Sequence, residues 1–356
     1  MEFRILDILS RGIGNVLSIN RIAKKVRSEY GSGDYKNIYV AINNMSKRNI
    51  VKLEQAGNAS LVSINFENYM IIDLLSEMEL RKKGVFLQNR TEMQILLLEL
   101  DEYVYNLDML QSVSIIEPER NAKLNKADFL VQLKKSDNHR MAYAAKTGIY
   151  KKLYGLQMIH DMRINVLVLE DGEFSGLVKA NEANPVREML HDKIVISGQQ
   201  GFWASIRNEF IKGTKIKVKE GQTHPAKIPE DVLVYNLVRF GYTEFGPVVK
   251  EAEQVCIEYT IAAIIFQKDE RRMDAIPVIL AKNTKKTSYD LLLFISRKYG
   301  FAGKILGILK SLRNLVVHAR MVVEEPIKLL EAIDTEEVKP DEKRMRDRLR
   351  LYHVTR

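Results

Sequence analysis

The residues whose types suit chemistry fall in two stretches. The first runs Ser112-Val-Ser-Ile-Ile-Glu-Pro-Glu-Arg-Asn-Ala-Lys-Leu-Asn-Lys-Ala-Asp-Phe-Leu-Val-Gln-Leu133. Val113–Ile116 is β-branched and apolar, Glu117–Lys126 is polar and contains Pro118, and Asp128–Leu133 alternates. This pattern predicts strand, exposed loop, strand. A carboxylate that opens a strand beside a loop can hold divalent metal for phosphoryl transfer. Asp128 is therefore a candidate catalytic residue, and Glu117, Glu119 and Glu170 are the carboxylates that could complete a site. The second stretch is Arg313-Asn-Leu-Val-Val-His318. Imidazole serves as general acid or base and guanidinium stabilises developing negative charge, so Arg313 and His318 are also catalytic candidates. On one helix a five-residue spacing sets them about 140° apart, so they converge only across a bend or in a dimeric cleft. The plain alternative is a solvated basic helix end, favoured by the helix dipole. His139, His160, His191, His224, His353 and Cys256 show no ligand spacing, and no resident metal is expected.

The elements that must position these residues begin with the N-terminal 65. Glu2–Leu9 is amphipathic, Ser18 caps a helix to about Tyr30, and Asp34 caps a third to about Lys47. Ile50–Glu54 and Ser60–Phe66 read as strands joined at Gly57-Asn58. Three helices and a hairpin in this order predict a winged helix-turn-helix. The outer face of the third helix carries Lys36, Asn37, Tyr39, Asn43, Asn44 and Lys47. Asn can pair bidentately with adenine and Lys can reach guanine or phosphate. Lys47, Arg48 and Lys52 are expected at backbone phosphates near the wing. Ten Lys/Arg against five Asp/Glu give this region +5, within a chain of net charge +9. Winged helices also serve as protein-interaction modules, which is the alternative.

Glu67–Lys83 predicts a connector helix that breaks at Gly84. An α/β region follows: a helix that Thr91 caps, the strand pair above, a helix over Met141–Asp161, a buried strand Ile164–Leu169, two short helices, a strand Lys193–Ser197 and a helix Gly201–Phe210. Residues 213–229 predict a linker with a short edge strand, Lys215–Lys219. Helices are expected over Val232–Phe240, Glu251–Lys268, Tyr289–Tyr299, Ala302–Arg320 and Pro326–Ile333. Acidic residues 334–342 are expected to be mobile. Lys343–Arg356 is a basic tail, six Lys/Arg against one Asp, helical in pattern to about Tyr352. The expected fold class is α+β multidomain, with regions 1–83, 84–212 and 228–356. No stretch approaches the roughly 20 apolar residues of a membrane span, the start shows no secretory pattern, and Cys256 stands alone. A cytoplasmic protein with no membrane partner is expected.

Thr91–Phe210 resembles the nucleotidyltransferase fold of the kind archaea fuse behind a winged helix. In that family one strand ends in Gly-Ser, the next begins Asp-x-Asp, and a later strand supplies a third carboxylate. Here Ile115-Ile-Glu-Pro118 stands at the Gly-Ser position, Lys126-Ala-Asp128 keeps one carboxylate, and Asn165 stands for the third. Asn184–Leu190, Ile194–Gly198 and Phe202-Trp203 are similar to the family's later elements. The resemblance implies the fold with a degenerate motif, and no cofactor; nucleotide with magnesium is expected only if transfer chemistry operates. Arg313 to His318 is similar to the Arg-polar-x-x-x-His signature of HEPN domains, which implies metal-free RNA cleavage by that pair. The expected function is a regulator that binds double-stranded DNA, as a homodimer because such proteins read paired half-sites. An active nucleotidyltransferase, a HEPN-like ribonuclease and a protein-binding scaffold are the alternatives.

Overall fold

The apolar spacing of the first fifty residues sets their packing. In this computed structural model, which describes residues 1–57, 59–216, 218, 223–244 and 249–355, α1 (Glu2–Arg11), β1 (Leu17–Ser18), α2 (Ile19–Tyr30), α3 (Tyr35–Lys47), β2 (Val51–Ala56) and β3 (Ala59–Ile64) follow in order. Ile5, Ile22, Val26, Ile38, Ile42 and Met45 meet in a shared core with no exposure. Ser18 caps α2, its hydroxyl accepting from the Arg21 N–H. Asp34 precedes α3 but its side chain makes no capping bond. The sheet is three-stranded and antiparallel, in the order β1-β3-β2. β1 was not expected; only tertiary pairing of Leu17 with Val62 makes it a strand.

α4 (Ile71–Leu87) corrects the connector. It starts later than expected, because the Asn65 and Asn68 side chains accept from the Glu67 and Met70 N–H groups and hold a turn. It does not break at Gly84 but continues to Leu87.

Beyond it lie α5 (Thr91–Tyr105), β4 (Leu110–Ile116), α6 (Pro118–Lys123), β5 (Lys126–Leu133), α7 (His139–Ile159), β6 (Arg163–Glu170), α8 (Asp171–Lys179), α9 (Pro185–Met189), β7 (Lys193–Ser197) and α10 (Gln199–Ile211). Arg90, not Thr91, occupies the cap position of α5. The four strands order as β6-β5-β4-β7; β5 and β6 are parallel, joined through α7, and β4 is antiparallel to both its neighbours. The expected exposed loop after β4 holds α6 instead. Its Asn121 is buried and donates to the Ile116 carbonyl, folding the segment back on the strand.

β7 is an edge strand of this sheet, and α4 covers the edge with side chains. The Val195 N–H donates to Glu79 (3.0 Å), Lys82 donates to the Lys193 carbonyl (2.9 Å) and Lys83 to the Ile196 carbonyl (2.9 Å). Edge groups that would otherwise need water or another strand are satisfied this way. Lys82 also reaches back to α1: its Nζ is 3.0 Å from Asp7 Oδ1 and 3.8 Å from Glu79. The other Asp7 oxygen accepts from Arg11 and from Tyr30, both at 2.6 Å. Lys193, 2% exposed, lies over the ring of Trp203 at 4.8 Å, and burial pushes its pKa down to about 8.

The C-terminal part is helical: α11 (Glu230–Arg239), α12 (Ile257–Gln267), α13 (Glu270–Met273), α14 (Ala275–Lys282), α15 (Tyr289–Lys298), α16 (Ala302–Leu315), a 3₁₀ turn Val317–Ala319, α17 (Arg320–Ala332) and α18 (Glu342–Leu351). The helix expected from Glu251 begins only at Ile257. Residues before it are drawn into extended contact with Ala183, whose N–H donates to Gln254 and whose carbonyl accepts from Cys256. The helix expected over Ala302–Arg320 stops at Leu315, where Val316 turns extended. Of residues 334–342, expected to be mobile, Glu342 opens α18 and the stretch before it is held to α16, where the Val338 N–H donates to the Gly303 carbonyl at 3.0 Å. Gly307 allows this approach, since a Cβ there would collide with the Val338 carbonyl oxygen. The basic tail is docked too, with Met345 and Leu349 buried and Arg344 and Arg348 on Asp274. The edge strand expected at Lys215–Lys219 lies partly outside the described residues; Ile216 and Val218 are buried. Among the described residues no helix is long and apolar enough to cross a membrane.

Burial alone would raise the pKa of Asp7, but the Lys82 and Arg11 charges and the bonds from Arg11 and Tyr30 outweigh it and hold the carboxyl far below its ordinary range. Its stabilising contribution is present above the unfolded value of about 3.9 and is lost as pH falls through the folded one. Asp7→Ala leaves Lys82 and Arg11 facing a vacated partner and should cost about 3–5 kcal/mol in urea denaturation at neutral pH. The difference from wild type should narrow below about pH 4.

Candidate functional site

α3 brings its expected contact residues to the surface. Lys36, Asn37, Tyr39, Asn44 and Lys47 are exposed and Asn43 is half-buried. Among the described residues, none makes a hydrogen bond or ion pair with the side chains of Lys36, Asn37, Asn43, Asn44 or Lys47. The Tyr39 ring stacks on Tyr35 with centroids 6.2 Å apart. Arg48 and Lys52 are engaged: Arg48 Nη1 lies 3.0 Å from both Glu2 oxygens, and Lys52 Nζ lies 2.8 Å from Glu67. Exposed pairs of this kind are worth about 0–1 kcal/mol, so a phosphate can replace either carboxylate.

Asp128 sits third in β5, opposite Asn165 of β6 and Ile116 of β4. The resemblance names Asp128 and Asn165 at two of its carboxylate positions, and strand register brings the two residues together. Asn165 Nδ2 donates to Asp128 Oδ1 at 2.7 Å. Against the other oxygen stands the Lys298 ammonium, 2.9 Å away in ion-pair contact. Lys298 closes α15 and also lies 3.8 Å from Glu117, which pairs with Arg120 at 2.9 Å. Asp128 is 1% exposed. Burial lowers the pKa of Lys298, but Asp128 above all, then Tyr299 and Glu117, raise it past the usual lysine value. A raised lysine contributes its stabilisation at every pH below its unfolded value of about 10.4 and loses it as pH climbs through the folded pKa, so the pair is intact at neutral pH.

The remaining carboxylates do not converge on Asp128. Glu119 faces Arg90 at 2.7 Å. Glu170 lies five residues beyond Asn165 on β6, about 17 Å along the strand, near Lys146. Glu117 takes the left-handed conformation, φ 45°, and its N–H donates to the Asp192 carbonyl. The backbone donor at the Gly-Ser position is therefore engaged within the chain. Among the described residues no group of three His, Cys, Asp or Glu side chains comes together in a way that could hold a metal. A cleft of about 810 Å³ opens beside this cluster, lined by Asn165, Arg163, Arg297 and Asp161.

Arg313 and His318 fall on different elements, α16 and the 3₁₀ turn, because of the break at Val316. Arg313 Nη1 is 3.4 Å from Glu324. His318 Nε2 is 2.9 Å from the Ala281 carbonyl, which can only accept, so Nε2 carries the proton. No contact joins the two side chains among the described residues.

Two features escaped sequence reasoning. Lys298 is 170 residues from the aspartate it neutralises, and no local pattern marks it. Lys146 meets Glu173 at 3.0 Å and Asp290 at 2.8 Å beside a cavity of about 330 Å³. Burial first, opposed by Lys146 and aided by Glu173, pushes Asp290 up to about 6.

Lys298→Met keeps the aliphatic bulk and removes the charge, leaving Asp128 buried and unpaired. It should cost about 3–5 kcal/mol in chemical denaturation. The double variant with Asp128→Asn should lose less than the sum of the two single losses, because no isolated charge remains. A neutral Lys298→Met would show the contact to be incidental.

Comparison of the chain with protein-family models, with curated proteins and with solved structures returns no match.

Proposed function

We propose that this chain is a DNA-binding regulatory protein. Its N-terminal winged helix-turn-helix reads duplex DNA through α3, and a nucleotidyltransferase-like region without transfer chemistry and a helical region follow. The observation that carries this is the outer face of α3. Five polar side chains there have no partner among the described residues, on a helix whose opposite face is fully buried. Asn37, Asn43 and Asn44 carry amides that match adenine, and Lys36 and Lys47 carry ammonium groups for guanine or phosphate. Arg48 and Lys52 flank them at the start of the hairpin, held only by exposed pairs. The local charge of +5 favours a polyanion.

The absence of transfer chemistry is supported by the state of Asp128. A lysine ammonium stands where a metal ion would have to sit, Asn165 stands where the resemblance puts a third carboxylate, and the Glu117 N–H, in the segment matching Gly-Ser, is spent on Asp192. Two divalent ions cannot be held by one carboxylate already paired with a cation.

Anisotropy titrations with a generic duplex test the first half. Four phosphate contacts, from Lys36, Lys47, Arg48 and Lys52, predict a log–log salt slope of about −3.6, or a roughly hundredfold weakening between 50 and 200 mM salt. Lys36→Ala with Lys47→Ala should reduce the slope by about 1.8. Asn43→Ala and Asn44→Ala should each cost about 1–3 kcal/mol on a preferred site and little on generic DNA. Salt-independent binding would sink the proposal. Label transfer from ATP with magnesium tests the second half, and incorporation into protein or RNA above background would overturn it.

A further inference from the structure

Four exposed apolar side chains lie on one two-helix layer. On α5, Leu98 is 69% exposed and Tyr105 90%; on α7, Met158 is 82% exposed and Ile159 69%. The inner faces of both helices are already buried, through Leu96, Leu97 and Leu100 on α5 and Ile149 and Leu153 on α7. The two helices lie side by side, with the Tyr103 hydroxyl against Gly148 and Glu99 3.4 Å from His160. Leu98, Tyr105, Met158 and Ile159 leave exposed apolar area on this helix pair, and Met158 also borders the cleft of about 810 Å³.

Charge says what covers it. α5 carries Glu92, Glu99, Asp101 and Glu102 and no Lys or Arg. α7 carries Arg140, Lys146, Lys151 and Lys152 and no Asp or Glu. Asp101 pairs with Lys83, Glu99 faces His160, and Lys146 is held by Glu173 and Asp290. Glu92, Glu102, Lys151 and Lys152 form no ion pair with any described residue. An acidic apolar helix beside a basic apolar one is complementary to its own two-fold copy. Laying α5 of one protomer over α7 of another matches both charges, and the symmetry axis makes the match twice.

We infer that the outer face of α5 and α7 is the interface of a homodimer, α5 of each protomer resting on α7 of its partner. The inference deepens the DNA-binding proposal, since a dimer presents two copies of α3 to paired half-sites. It is measured without DNA, so the two can fail separately.

Sedimentation equilibrium of the full chain at micromolar concentration should return twice the chain mass. The Glu92→Lys/Glu102→Lys variant and the Lys151→Glu/Lys152→Glu variant should each return the single-chain mass, because like charges then face each other. An equimolar mixture of these two variants should recover the dimer, since each then opposes the other's changed helix with opposite charge. Leu98→Asp, a single change at an exposed position, should be monomeric with an unchanged far-ultraviolet spectrum, which separates loss of dimer from loss of fold. A monomeric wild type overturns the inference, as do charge variants that remain dimeric or a mixture that stays monomeric. Each result leaves the duplex titration to stand or fall by itself.

Discussion

The buried cluster of Asp7, Glu79, Lys82 and Lys193 is the constraint on which the arrangement of this chain depends. Charges removed from water are costly unless paired and fully bonded. Lys82 meets that condition only where α1, α4 and β7 come together, because its partners are the Asp7 carboxylate, Glu79 and the Lys193 carbonyl. One Glu79 oxygen accepts from the Val195 N–H at the sheet edge, while the other has no hydrogen-bond partner among the described residues. Three elements from different parts of the chain are thus locked by one set of groups that none of them can satisfy alone. The consequence is geometric: the helices that carry α3 are seated on the second sheet through α4, with no free hinge at Gly84.

A second long-range pair has the same logic and a chemical outcome. Asp128 is inside the sheet and cannot be left charged and alone. Asn165 supplies one hydrogen bond and Lys298 supplies the countercharge, from a helix that packs against β6. The ammonium ties the helical region to the sheet. Lys298 is therefore the countercharge that allows Asp128 to be buried inside the sheet.

The surfaces left over after these internal demands are met carry the proposed functions. α3 keeps amides and ammonium groups that no described residue uses. α5 and α7 keep exposed apolar side chains and opposite charges without partners among the described residues. The basic C-terminal helix, by contrast, looked equally available in the sequence, yet Arg344 and Arg348 serve Asp274 and its apolar residues are buried. Net charge along a sequence is a guide to partners only after the internal pairs have been subtracted.

Local pattern alone determined the three N-terminal helices, the hairpin, the α/β alternation and the strands around Asp128, because apolar spacing at 3.6 or 2 residues directly selects helix or strand. It also marked the face of α3, which follows from period; Asn165 was singled out only by the family resemblance, and strand register is what sets it beside Asp128. It failed where backbone groups are claimed from afar. Residues 251–256 are drawn straight by Ala183, α16 ends at Val316, and 334–341 is held against Gly303. Only the tertiary structure decided that α4 is a joint, that Arg313 and His318 part company, and that Lys298 meets Asp128. Those outcomes rest on buried charges and polar groups finding partners tens to hundreds of residues away, and no local period encodes which partner that is.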